Sequence, residues 1–404
     1  MGKDFFEAFI LAFFAKTVSP KIYVSEPASS SCAARTVKTM LKSAFFSLRF
    51  CQSQHTHDTI ADISALGDNV NFRFAHCGDF HLGYDFGYLP PRKAAARQAD
   101  LRVAFFRSVR ETLKWGAQVF LISGDLFDTP HPGARDVEIV SKNLSHLSKK
   151  GVRCFAIPGN HDPIHSKSVW NQPEIQNNLH LFRGDPATEL AQENIAELNL
   201  TIAGIPWDIK DAFKPPLQEI LTRDLHLNDR SILLLHGSEA ALASEHPAFK
   251  EHPFEADDLK RLPFGYVAIG HYHKPIDVAR WSGGGACYSG SPEGLRFSEH
   301  NLGERSIVLG EMDERGSLVQ LHRKPINART MRTLSYSAGD GTTADDWFRA
   351  IDDMRDLDTL LRVRVPKQNG DQQRRAEVLL SALSNDFFYL DVIWESPCEQ
   401  EHLV

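Results

Sequence analysis

Five times along this chain an apolar, strand-like run ends in a short cluster of acidic, amide or imidazole side chains. The clusters are Asp79-Phe80-His81, Gly124-Asp125 with Asp128 after it, Gly159-Asn160-His161-Asp162, His236-Gly237 and Gly270-His271-Tyr272-His273. The runs before them are Asn71 to His76, Val119 to Ser123, Val152 to Ile157, Ile232 to Leu235 and Tyr266 to Ile269. Short apolar runs bounded by turn signals read as buried strands. Open α/β sheets collect functional groups beyond the carboxyl ends of their strands, so the clusters are expected to converge in space. Taken singly they are weak signals: a Gly-Asp or a His-x-His is commonly a turn or surface feature, and Gly-Asn-His-Asp is rich in turn formers. Their order and complementary chemistry give them meaning together.

The intervening stretches fit an α/β layout. Arg92 to Trp115 reads as a helix, because Leu101, Phe105, Val109 and Leu113 recur at i+4 and form one stripe. Arg102, Arg107, Arg110 and Lys114 fall elsewhere on it and read as a solvated basic face. A second helix is expected from Ala134 to Lys149, with Gly151 as a C-cap. Leu200 to Ile205 adds a strand. Ala286 to Ser289, Ser306 to Gly310 and Leu318 to Arg323 read as strands without crossover helices, which points to a mixed, two-sheet core flanked by helices. The main domain is placed at residues 70–326. A small appended α+β domain follows over 327–404: strand, helix, the alternation Leu361, Val363, Val365, a helix from Ala376 to Leu383, then the alternation Phe388, Leu390, Val392, Trp394. Lys367 to Arg375 reads as a polar loop.

Residues 1–69 sustain no helical or strand period, and read as a disordered extension or as the result of a start site assigned too far upstream. Their apolar run, Ala8 to Ala15, is well short of the ~18 residues of a membrane span. Asp4 and Glu7 sit where a signal peptide would carry positive charge. Six scattered cysteines without a C-x-x-C pair point to free thiols in a reducing cytoplasm. The net charge of −7 argues against broad charge-driven nucleic-acid binding but leaves room for a local basic groove. Arg92, Lys93 and Arg97, soon after the first cluster, are the candidates to line one, with Arg362 and Arg364 on one face of a later strand.

Carboxylates, an amide oxygen and several imidazoles together are a ligand set for divalent metals such as manganese, iron or zinc. Two ions about 3.5–4 Å apart need a bridging ligand, and a carboxylate at a strand tip, Asp125, suits that role. Asp79 and His81 are two residues apart, as are His271 and His273; in an extended segment each pair points to one side and reaches one ion. Gly78, Gly124 and Gly159 allow sharp exits from the strands. Such a site lowers the pKa of a bound water and clamps a phosphate. His161, beside Asn160, is then a proton donor to a leaving oxygen or a stabiliser of charge on the phosphoryl group, and Asp162 is expected to orient it.

These motifs resemble those of the calcineurin-like metallophosphoesterases, and within them the SbcD-like DNA-repair nuclease branch. The resemblance rests on Asp79-Phe80-His81-Leu82-Gly83, Gly124-Asp125-Leu126-Phe127-Asp128, Gly159-Asn160-His161-Asp162, Leu235-His236-Gly237, Gly270-His271-Tyr272-His273-Lys274-Pro275 and Tyr288-Ser289-Gly290-Ser291-Pro292-Glu293-Gly294, and covers about residues 71 to 325. The chain departs from several members of that branch at Asp128, where they carry histidine. The resemblance implies a four-layer α/β/β/α sandwich with two divalent ions, usually manganese. One ion would be held by Asp79, His81, Asp125 and His273, the other by Asp125, Asn160, His236 and His271, with His161 catalytic. It implies hydrolysis of DNA phosphodiesters, often with an SbcC-like ATPase partner; a homodimer is a further option, and no membrane is involved. The alternative is a metallophosphoesterase acting on a nucleotide, cyclic nucleotide or other small phosphoester, since a bare metal site does not choose among them.

Overall fold

The computed structural model describes residues 71–396, apart from 185–188, 246–249 and 338–340. The expectations for residues 1–69, and for Cys32, Cys51 and Cys398, lie outside the described residues. The strands, in chain order, are β1 (Phe72–Cys77), β2 (Val119–Ser123), β3 (Arg153–Ile157), β4 (His180–Leu181), β5 (Ala191–Ile195), β6 (Leu200–Ile205), β7 (Arg230–His236) and β8 (Tyr266–Gly270). They continue with β9 (Ile276–Trp281), β10 (Gly284–Tyr288), β11 (Ser306–Met312), β12 (Leu318–Pro325), β13 (Thr330–Ser335), β14 (Asp356–Pro366) and β15 (Phe387–Glu395). The four longer helices are α1 (Pro91–Trp115), α2 (Ala134–Lys149), α3 (Ala344–Asp352) and α4 (Gly370–Ala382).

Two six-stranded sheets form the core, ordered β12-β11-β1-β2-β3-β4 and β5-β6-β7-β8-β10-β9. In the first, β1 to β4 run parallel and β11 and β12 are antiparallel additions. In the second, β6, β7, β8 and β10 run parallel, with β5 and β9 as antiparallel edges. Strand side chains alternate between faces, and the alternation sorts the apolar residues into layers. Val119 and Leu121 of β2 meet Ile232 and Leu234 of β7, with Tyr266 and Ala268 of β8, between the sheets. Phe120 and Ile122 face outward onto Leu101, Phe105 and Val109 of α1 and Val140 and Leu144 of α2. Leu233, Leu235, Val267 and Ile269 face the other way, onto Leu217, Ile220 and Leu259 of the short helices Pro216–Leu221 and Ala256–Arg261. The result is helix, sheet, sheet, helix: the expected four-layer sandwich.

Helix α1 starts with Pro91 in its first turn, where no N–H is needed, and ends at Gly116 with φ 71°. Of its basic residues, Arg110 and Lys114 are solvated as expected, whereas Arg102 and Arg107 are half-buried. Arg102 binds Asp136 of α2 at 2.7 Å, and Arg107 donates to the carbonyls of Ile326 and Asn327. Arg110 and Lys114 both reach Glu111.

The remaining strands, β13, β14 and β15, form a separate parallel sheet. Trp347 and Ile351 of α3 and Ala376 and Leu380 of α4 pack with Leu361, Val363 and Val365 of β14 as its own apolar cluster. A capping box between Thr343 and Asp346 starts α3. The stretch expected as a loop to Arg375 is helical from Gly370; its residues before Ala376 are polar and none is buried, so no apolar period marks them. Among the described residues no helix is long and apolar enough to cross a membrane.

Candidate metal centre

The five clusters meet where the carboxyl ends of β1, β2, β3, β7 and β8 come together. Backbone bonds zip the first two: Asp79 N–H donates to Gly124 O (3.1 Å), His81 N–H to Asp125 O (3.0 Å) and Leu82 N–H to Leu126 O (3.1 Å). The His161 N–H donates to Asp125 Oδ1 at 2.9 Å, tying the third cluster to the second. The His271 N–H donates to Asp79 Oδ1 at 2.9 Å, tying the fifth to the first across the two sheets. Gly159 must be glycine, because an added Cβ would collide with the Asp125 carboxylate and amide.

The backbone here is not extended, as the i, i+2 spacing suggested. Asp79 (φ 51°), His81 (φ 47°), Asp125 (φ 47°) and His271 (φ 109°) all have positive φ. Such conformations are uncommon for residues with a Cβ, cost on the order of 1–3 kcal/mol each and cluster at functional sites. The strands end shortly before these positions, and the left-handed turn aims the side chain into the centre.

Partners outside the centre fix three imidazole tautomers. His236 Nδ1 donates to the Ser123 carbonyl (2.9 Å) and His81 Nδ1 to the Asp128 carboxylate (3.0 Å). His273 Nδ1 donates to Asn301 Oδ1 (3.3 Å), which also accepts the Leu295 N–H (3.1 Å). Each ring therefore turns an Nε2 lone pair inward. His81 Nε2 and His273 Nε2 face one another at 3.1 Å. His236 Nε2 faces Asn160 Oδ1 at 3.0 Å, and His271 Nδ1 lies 3.2 Å from the same oxygen. Asp125 Oδ2 sits between, 3.6 Å from His81 Nε2 and 3.5 Å from His236 Nε2. Asp79 Oδ2 is buried with no hydrogen-bond partner. Acceptors facing acceptors repel in a buried site, and cations among them would remove the repulsion. The donor set fits two divalent ions, with Asp125 common to both groups of atoms.

Burial, then the charge of Asp125, pushes the Asp79 carboxyl well above the usual range. Burial acts the same way on Asp125, but His236, His81 and His161 more than offset it and hold that carboxyl below its usual value. Burial keeps His236, His271 and His273 neutral, with His271 lowered to about 3. His161 differs. Its side chain is 45% exposed. Burial pulls its imidazole down, yet the bond to Asp128 and the charges of Asp125 and Asp128 raise it to about 9.

Asp162 does not touch the His161 ring. Its carboxylate accepts the N–H groups of Gly159 (2.8 Å) and Phe127 (3.1 Å), and burial followed by Asp125 raises it to about 8. The group beside His161 is Asp128, at 3.4 Å from Nδ1, which also holds His81. Asp128 stands in the second sequence cluster, but its residue type and spacing alone gave it no role; Asn301 lies in a loop with no motif to mark it.

The expected basic groove does not assemble. Arg97 is fully buried, bound to Asp100 (2.7 Å), Glu293 (2.9 Å) and the Gly294 carbonyl (2.8 Å). Lys93 lies over the Tyr389 ring at 5.4 Å, and Arg92 is exposed. Arg362 pairs with Asp391 at 2.7 Å and Arg364 with Glu395 at 3.0 Å. A buried or acid-paired guanidinium is poorly placed to meet a phosphate backbone.

A buried cage of carboxylates and inward imidazole lone pairs at the strand ends of a four-layer sandwich defines a class of metal-dependent phosphoester hydrolases. Residues 72–296 match the calcineurin-like phosphoesterase family model, and the chain belongs to that family, whose members carry a binuclear divalent metal centre. It is similar to the DNA double-strand break repair protein Mre11 of Methanopyrus kandleri, 26% identical over 265 residues, covering 61% of this chain and 55% of the relative. It is similar to the SbcD component of the nuclease SbcCD of Bacillus subtilis, 28% identical over 255 residues, covering 56% and 63%. The uncharacterized metallophosphoesterase YhaO of Bacillus subtilis is 27% identical over 214 residues, covering 51% and 49%. The chain thus spans about half to under two-thirds of these relatives' lengths.

Proposed function

We propose that this chain is a two-metal phosphodiesterase acting on DNA, a repair exonuclease or other nuclease. The observation that carries the chemistry is the apposition of His81 Nε2 and His273 Nε2 at 3.1 Å, with Asp125 Oδ2 between His81 and His236. DNA as substrate is supported by the names of the Mre11 and SbcCD relatives. Asp79, His81, Asp125 and His273 would hold one ion and Asp125, Asn160, His236 and His271 the other, with manganese the expected metal. When bound, such a pair supplies an activated water and neutralises charge on the phosphoryl oxygens. His161, exposed at the rim and held protonated by Asp128, gives its proton to the departing oxygen. Asp162 braces the turn that carries Asn160 and His161 by binding the amides of Gly159 and Phe127. Residues 327–404 would act as a capping-like domain beside the 70–326 catalytic domain. A cytoplasmic location, an SbcC-like ATPase partner and a homodimer are parts of the same reading.

A second reading, a small phosphoester such as a nucleotide or cyclic nucleotide, is favoured by one observation: Arg97, Arg362 and Arg364 are tied up internally. The deciding experiment presents the full chain with manganese to single-stranded DNA, duplex ends and small phosphodiesters, with Asn160→Ala and His161→Ala as controls. Degraded DNA supports the nuclease. Intact DNA with a consumed cyclic nucleotide replaces it by the second reading.

A further inference from the structure

We propose that Asn301 is a positioning residue for the metal ligand His273; the proposal rests on the two-ion reading above. Asn301 is 1% exposed and sits in a one-turn 3-10 segment, Glu299–Asn301, 28 positions beyond the histidine it contacts. Its amide cannot be turned round. Oδ1 receives the Leu295 N–H, which can only donate, and Nδ2 donates to Ser298 Oγ at 2.9 Å. The remaining lone pair of Oδ1 faces His273 Nδ1 at 3.3 Å, so that nitrogen must carry the proton and Nε2 must carry the lone pair. Asn301 thereby selects the ligating tautomer and the ring orientation.

The support behind Asn301 is rigid. Arg305, 1% exposed, donates from Nη1 to the His273 carbonyl at 2.6 Å and from Nη2 to the His300 carbonyl, so one guanidinium grips both the ligand's backbone and the turn beside it. Two residues after Asn301, the Gly303 N–H donates to the Met331 carbonyl at 2.9 Å, pairing this loop with β13 through the backbone. The amide is thus held between the metal centre and the three-stranded sheet. Partners of this kind, one bond removed from the ion, typically affect metal affinity by about 10–100-fold.

The test is manganese binding by calorimetry and elemental analysis on the full chain, comparing wild type, Asn301→Leu and Asn301→Asp. The expected result is two ions in wild type, about tenfold or greater loss of affinity at one site in Asn301→Leu with the other unchanged, and recovery in Asn301→Asp, which keeps the acceptor. The thermal midpoint of the chelated proteins reads the structural role separately. Unchanged affinity at both sites in Asn301→Leu overturns the proposal, as does equal weakening of both sites accompanied by a lowered midpoint. Fewer than two ions in wild type overturns the two-ion reading itself and this proposal with it.

Discussion

His161 and Asp128 occupy the open side of the centre, while Asp79, His81, Asp125, His236 and His271 lie buried behind them and Asn160 and His273 are half-buried. His161→Asn should therefore leave two ions bound, by elemental analysis, and lower kcat by about 10²–10⁴, the usual contribution of a positioned proton donor. His76 is buried between the sheets, with Tyr266 OH at 2.9 Å and Ser123 Oγ at 3.0 Å. Burial, aided by the charge of Arg323, lowers its pKa from 6.5 to about 3. An unfolded chain takes up a proton below 6.5 that the folded one refuses until about 3, so its contribution to stability is complete above 6.5 and shrinks as pH falls. The loss should approach ~1.4 kcal/mol per pH unit across that window. Urea titrations of wild type and His76→Gln between about pH 7 and 4 check it; parallel pH dependences would refute it. Which side chains meet at the centre was legible in the sequence because strand ends bearing Asp, Asn and His recur in one chain. Their backbone was not, since nothing in Asp-Phe-His distinguishes an extended segment from the left-handed turns at Asp79 and His81.

Among the elements, the segment from Gly294 to Arg305 is closely packed against β13. A Cβ on Gly294 would lie 2.6 Å from Met331 Sδ and 2.7 Å from the Asn301 carbonyl. Gly294→Ala should accordingly push on Asn301 and β13 together, weakening manganese binding at one site and lowering the thermal midpoint by several degrees. Gly294→Ala with both quantities unchanged would show that this loop gives way easily. The strands that build the centre were legible as apolar runs, because buried parallel strands have no polar face to interrupt them. Edge strands β4, β5 and β9 were not: Ala-Gln-Glu-Asn-Ile carries no apolar alternation, and its pairing is supplied by β6. The partners of Arg102 and Arg107 in α1 escaped the sequence for a related reason. Periodicity reports which residues leave the main stripe, and only the packing of α2 and the 326–327 segment shows that Arg102 and Arg107 meet partners there.

For the molecule as a whole, an ionic network joins the sandwich to the three-stranded sheet. Arg97 binds Glu293 and Asp100, Asp100 binds Arg329 at 2.5 Å, and Arg329 lies 4.1 Å from the centroid of the Phe388 ring on β15. Arg97→Met would leave the buried Glu293 carboxylate with the Ala328 N–H but without its ion-pair partner, so unfolding free energy in urea should fall by about 3–5 kcal/mol; a change below about 1 kcal/mol would mean that the carboxylate finds another cation or takes up a proton. A two-sheet core flanked by helices was legible from the run of strands and helices, and its four-layer order from the family resemblance, but this coupling was not, because Arg97 and Glu293 are far apart along the chain and the sequence carries no sign that they meet. The candidate ligands come from both halves of the sandwich. Asp79, Asp125 and Asn160 follow strands of the first sheet, while His236 and His271 belong to the second, and the His271–Asp79 and His236–Ser123 bonds cross between them. Ions shared across that seam would act as a clasp. Chelation should then speed amide hydrogen exchange at the carboxyl ends of β2 and β7 together, while β14, in the separate three-stranded sheet, exchanges as before.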